Sequence, residues 1–112
     1  MILHLLGFDA HDDDPLADVE LLDEDYRWAT AEVLKSGLRV NPSSPPKVVS
    51  ILEGGYDLGA ISRSAVLHVQ SLYDGYESVV EEIVKENERK QMENHEGDEV
   101  EALKDYLQDL GI

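Results

Sequence analysis

Two short apolar runs, Ile2 to Leu6 and Val48 to Leu52, constrain this chain more than any other feature, because each ends just before a Gly-containing turn and each is followed by a stretch with helical spacing. A run of this length without polar alternation suits a strand covered on both faces, and the β-branched content of the second run strengthens that reading. After the first run, acidic Asp23, Glu24 and Asp25 stand where a first helical turn is favoured by the macrodipole. Tyr26, Ala29, Thr30, Val33 and Leu34 then recur at helical spacing, with Gly37 as the expected stop. Leu22 stands where a capping Ser or Thr would be favourable, which leaves Asp23 as the candidate cap. Asn41 to Pro46 can continue neither a helix nor a central strand and reads as a connecting loop with a mobile tip. After the second run, Leu58, Ile61, Ala65, Val66, Val69 and Leu72 fall on one stripe and predict a helix from about residue 58 to 73, and Gly75 divides this part from a tail of different composition. Strand, helix, strand, helix is the pattern of a parallel α/β unit. With the usual right-handed crossover, the loops that follow the two strands share one edge of the sheet, where open α/β sheets place their ligand sites.

Those two loops carry the chemistry. Asp9 and His11 follow the first strand, with further carboxylates at Asp12, Asp13 and Asp14. A carboxylate and an imidazole two residues apart can both face a metal such as zinc, although an Asp-Ala-His sequence alone is equally a solvated loop in which Asp bonds its own backbone. An EF-hand register places Asp9, His11, Asp13 and Glu20 at positions one, three, five and twelve, but Asp14 occupies the position that needs Gly, Pro15 follows, and a strand precedes. In the second loop Gly54 and Gly55 let the chain turn before Tyr56. A phenol at a strand end can donate a hydrogen bond to a carbonyl oxygen that gains negative charge, or it can simply pack beside the next helix.

Taken together, Gly7-Phe8-Asp9-Ala10-His11-x-x-Asp14-Pro15-Leu16 and Glu53-Gly54-Gly55-Tyr56-Asp57-Leu58 resemble motifs of the zinc-dependent histone deacetylase and acetylpolyamine amidohydrolase family, in wording closest to its class II branch. Asp25-Tyr26, Arg63-Ser64-Ala65 and His68-Val69 agree with it as well, and the resemblance runs over about residues 2 to 73. It implies an α/β chain that is a fragment of a three-layer α/β/α parallel-sheet deacetylase fold of the arginase/deacetylase type. It further implies that Asp9 is a zinc ligand, that Tyr56 polarises the scissile carbonyl, that Gly54 and Gly55 support the loop, and that His11 belongs to the motif without binding metal. Leu5 and Leu6 replace the small residues usual before the motif. The implied substrates are acetyl-lysine in a histone or another protein, or an acetylpolyamine.

A complete site of that family also needs a second Asp and a His as ligands and a tandem His pair. The four histidines here, His4, His11, His68 and His95, include no adjacent pair. The expectation is therefore a partial deacetylase-like domain over residues 1 to 74, inactive as an isolated chain unless another chain supplies the rest, and an acidic helical tail over residues 75 to 112. The alternative is a non-catalytic truncated homologue that works as an interaction protein through that tail. Within the tail, Val79, Val80, Ile83 and Val84 begin a helix, residues 86 to 96 are nearly all charged or polar and read as frayed, and Asp98 to Glu101 has the form of a capping box opening a last helix.

Charge narrows the partners. Nine Lys and Arg against 25 Asp and Glu give a formal net charge of -16 over 112 residues, a field that repels phosphate backbones and anionic lipid and tolerates cationic tails or polyamines. No direct nucleic-acid or membrane contact is expected. The chain has no cysteine and therefore no disulfide framework, and the first apolar run lacks a basic flank and is cut short by Asp9. These features fit an intracellular protein, in nucleus or cytoplasm.

Overall fold

The computed structural model describes residues 1–111. The elements follow in the order β1 (Ile2–Leu6), a single 3-10 turn (Phe8–Ala10), α1 (Asp23–Val40), β2 (Val48–Leu52) and α2 (Leu58–Asp109). β1 and β2 pair in parallel, with Ile2 opposite Val48, His4 opposite Ser50 and Leu6 opposite Leu52. The βαβα order expected from the two apolar runs is therefore present, as a two-stranded sheet with helices. The chain divides into two compact units, Met1–Val80 and the part from Glu81 onward.

In the first unit the helices cover one face of the sheet. Leu6, Phe8 and Tyr26 form the buried core, with Leu21, Ile61 and Ala65 packed against it. The other face carries Leu3, Leu5, Val49 and Ile51, which all remain exposed. That arrangement is compatible with an α/β deacetylase fragment. A second helical layer is not present among the described residues, so the full three-layer fold is not formed by them.

Two glycines behave differently from their sequence reading. Gly37 does not stop α1, which continues to Val40; a Cβ there would lie 2.4 Å from Pro46 Cβ and 2.9 Å from Ile2 Cδ1. Gly75 lies inside α2 rather than between helices, and a Cβ there would lie 2.5 Å from Leu34 Cδ1. Both are points of close approach, where the absence of a side chain lets backbone and neighbour meet.

The expected frayed stretch and separate last helix are likewise replaced by continuous helix. Local charge pairing accounts for it. Arg89 bonds Glu86 through Nε at 2.9 Å and Nη2 at 2.7 Å, also reaches Glu93, and Lys90 stands 3.4 Å from Glu86. Pairs at these spacings support exposed helix. They hold the Glu86 carboxyl down at about 2.

The α1 cap is a further correction. Leu22 N–H donates to Asp25 Oδ2 at 2.7 Å, and Asp25 N–H donates to the Leu22 carbonyl at 3.0 Å. Asp25 thus closes the first turn in capping-box manner. Asp23 is drawn instead into a side-chain network.

Candidate functional site

The sheet ends in two loops that touch. Glu53 N–H donates to the Leu6 carbonyl at 2.8 Å and Phe8 N–H to the Gly54 carbonyl at 3.3 Å, so the parallel pairing continues past both strands. Gly54 has φ +77° and Gly55 φ +120°, values that L side chains rarely adopt. A Cβ on Gly54 would lie 3.1 Å from Asp9 Cγ, and one on Gly55 would lie 3.1 Å from Phe8 Cβ. The double glycine therefore does two things at once: it turns the chain through positive φ, and it leaves room for the Asp9 carboxylate.

Asp9 sits in the 3-10 turn with an exposed side chain, and no described residue donates a hydrogen bond to its carboxylate. Its lone pairs are free for an external ligand. Tyr56 is 72% exposed, so its ring is not packed away beside α2. Its backbone is held firmly. Asp14, only 5% exposed, accepts from Leu16 N–H through Oδ1 at 2.9 Å and from Tyr56 N–H through Oδ2 at 2.7 Å. These bonds, that from Tyr56 first, hold the Asp14 carboxyl below its ordinary value.

His11 is buried and both of its ring nitrogens are used. Nδ1 accepts from Asp13 N–H at 3.0 Å, which leaves Nε2–H to donate to Asp23 Oδ1 at 2.8 Å. Ser64 donates to the same oxygen at 3.3 Å, while Arg63 donates to Asp23 Oδ2 at 2.9 Å and to Asp13 Oδ2 at 2.6 Å. Burial opposes ionisation of Asp23, but the hydrogen bonds from Arg63 and His11 outweigh it and leave the carboxyl below its ordinary value. This network ties the loop after β1 to the starts of α1 and α2. In the sequence Arg63-Ser64 stands out only through the family resemblance; the cue available was that Arg63 is the one Lys or Arg between Lys47 and Lys85 in a strongly acidic chain.

A second buried polar chain runs beneath the site. Thr30 donates to the Tyr26 carbonyl at 2.7 Å, so its oxygen accepts from His68 Nδ1–H, also at 2.7 Å. His68 Nε2 then accepts from the Ser50 hydroxyl at 2.9 Å. Tyr26 in turn donates to the Gly7 carbonyl at 3.1 Å, two residues before Asp9. Burial, then the negative charge of Asp9, Asp14 and Asp25, pushes the Tyr26 phenol above its ordinary value. The His4 ring meets His68 edge-on at 5.4 Å, and desolvation lowers both imidazoles.

The donor set does not make a metal centre by itself. Among the described residues no three His, Cys, Asp or Glu side chains are gathered to hold an ion. His11 and His68 are engaged on both nitrogens, His4 stands within β1 with its ring against His68, and His95 stands 3.1 Å from Glu99 in the second unit. A catalytic zinc takes about three protein ligands and one open position, and Asp9 offers one carboxylate. No helix among the described residues is long and apolar enough to cross a membrane.

Comparison with known proteins places residues 1–72 under the histone deacetylase domain family. Over 73 residues the chain is 40% identical to "Type-2 histone deacetylase 1" of Dictyostelium discoideum, an overlap of 64% of this chain and 5% of that protein. It is 36% identical over 77 residues to "Probable deacetylase" of Methanothermobacter thermautotrophicus, covering 69% of this chain and 20% of the relative. The chain thus spans a fifth or less of the length of these curated relatives.

Proposed function

The chain belongs to the histone deacetylase family, and from that premise we propose that it is the portion of a zinc-dependent deacetylase that contributes Asp9 and Tyr56 to the site, acting on acetyl-lysine in a histone or another protein or on an acetylpolyamine. The observation that carries the reading is the joined pair of loops: an unpaired carboxylate over Gly54 and a phenol-bearing loop two residues further on, both at the same sheet edge. In this reading Asp9 supplies one oxygen ligand to zinc. The remaining ligands and the water-activating histidines come from residues other than those described, in the same protein or in another chain. No step through the metal is derived from this chain alone. What its own residues do is hold and orient: Tyr56 offers its O–H to the carbonyl oxygen of the amide as negative charge develops there, a contribution that is larger in the transition state than in the ground state.

Zinc content and hydrolysis of an acetyl-lysine peptide, measured side by side, test the reading. The isolated chain is expected to retain no stoichiometric zinc and to show no turnover. In a completed site Asp9→Asn lowers zinc content, whereas Tyr56→Phe lowers turnover with zinc near normal; loss of zinc in the Tyr56 variant contradicts the assigned role.

A second reading rests on the second unit. Val100, Leu103, Tyr106 and Leu107 fall on one stripe of the helix, Leu110 follows just past its end, and all are exposed amid carboxylates. Such a face supports an interaction role for the acidic helix, independent of catalysis. Binding that survives Asp9→Asn and Tyr56→Phe but is lost on placing Asp at Leu103 and Leu107 would favour it.

A further inference from the structure

The positive-φ glycines that bring Tyr56 to the sheet edge also leave it poorly anchored, since two residues without side chains precede it and its ring packs on little. Its backbone N–H nonetheless has a firm partner 42 residues away, Asp14 Oδ2 at 2.7 Å. The other oxygen of that carboxylate is already fixed by the Asp14-Pro15-Leu16 turn, through Leu16 N–H at 2.9 Å. Asp14 N–H in turn donates to the His11 carbonyl at 2.9 Å, and His11 is locked to Asp23. The carboxylate is thus presented from a braced loop and holds the second loop by its main chain.

We propose that Asp14 is a positioning residue that fixes where the Tyr56 phenol stands relative to Asp9, by clamping the Tyr56 main chain to the loop that carries Asp9. It touches neither metal nor substrate. Its action requires two acceptor oxygens at once. Asn offers one oxygen and one NH2, so one of the two N–H groups would face a donor; Glu reaches further and breaks the turn geometry. A protonated carboxyl fails in the same way as Asn, which fits the direction in which its ionisation is shifted.

For catalysis, the consequence rests on the reading of Tyr56 given above. The clamp itself does not, and the two are measured separately. In the 112-residue chain, amide hydrogen exchange is compared between wild type and Asp14→Asn. Loss of a hydrogen bond to a charged acceptor should speed exchange at Tyr56 and Leu16 by about tenfold or more, with Ile51 and Thr30 amides unchanged. A uniform rise across Ile51 and Thr30 would reveal a merely structural role and overturn the proposal, as would unchanged exchange at Tyr56. Because the variant could fold poorly, the wild-type chain supplies an independent check. The Tyr56 amide proton resonance should titrate with Asp14, with a midpoint below the ordinary aspartate value; a resonance that does not move overturns the clamp. In a completed, zinc-loaded site, Asp14→Asn should lower kcat on the order of tenfold to a hundredfold, with zinc content and KM little changed, as a displaced catalytic group does. Loosened Tyr56 exchange with an unchanged kcat would leave the clamp standing and remove Tyr56 from the chemistry.

Discussion

Thr30→Val should destabilise the first unit by about 2 kcal/mol, and the figure follows from counting donors. Thr30 is fully buried, and its oxygen is the acceptor for His68 Nδ1–H at 2.7 Å. Val has nearly the same shape and similar helix propensity, so neither packing nor α1 itself should register much. The Tyr26 carbonyl keeps its helical partner and loses only the extra bond from the hydroxyl. What remains is one N–H of a buried imidazole without an acceptor, a loss that typically costs about 1–3 kcal/mol. Because the helix of the second unit would dominate circular dichroism, urea unfolding is best followed at the imidazole resonance of His11, which is buried in the first unit. Adding His68→Leu removes the stranded donor, so the double variant should cost less than the sum of the two single ones, by about 0.5–3 kcal/mol of coupling. A Thr30→Val midpoint indistinguishable from wild type, or strictly additive costs, would show that the proton sits on the other nitrogen and that the donor order from Ser50 to Tyr26 is wrong.

Two further outcomes follow from the same geometry. His4 and His68 are both lowered from 6.5 by burial, so between that value and their folded values the unfolded chain binds more protons than the native one, and stability must fall as pH drops below about 6.5. The lowered Asp14 and Asp23 act in a separate, more acidic window: their contribution is present above 3.8 and is lost below it, so urea midpoints plotted against pH should show two descents, of which His68→Leu shrinks the first alone. Gly54→Ala should cost on the order of 1–2 kcal/mol for its left-handed backbone and should also displace the Asp9 carboxylate, seen as shifted Asp9 and Phe8 amide resonances.

Much of this was legible because period and punctuation agree. Both strands lie where the apolar runs stand, and the two loops meet because parallel strands bring their C-terminal ends to one edge. Two kinds of feature were not legible. Gly37 and Gly75 read as breakers, because a sequence cannot show that Pro46 or Leu34 will press against them. Asp23 read as a cap, because its true partners, His11, Arg63 and Ser64, are distant in sequence or on another element, and Asp25 was equally placed to close the turn. Asp14 was visible as a motif letter. That its carboxylate reaches the Tyr56 backbone is a tertiary fact.

The proposed zinc site and the bare sheet face lead to one requirement. Leu3, Leu5, Val49 and Ile51 are 58%, 62%, 46% and 44% exposed on the face opposite the helices, whereas parallel sheets are ordinarily covered on both sides. Covering the remaining half of four such side chains is worth roughly 3–6 kcal/mol at about 1.5–3 kcal/mol for each fully buried one. That is comparable with the entire stability of a small domain, about 5–15 kcal/mol. On the proposed reading of Asp9 as a zinc ligand, residues that complete the site at this edge and cover the bare face would also set how firmly the two loops are held, because the edge that carries Asp9 and Tyr56 is the end of those same two strands. Completion of the site and completion of the core should then appear as one cooperative event. Slowed amide exchange in β1 and β2 should accompany zinc retention in any assembly that becomes active, and zinc retention without that protection would separate the two.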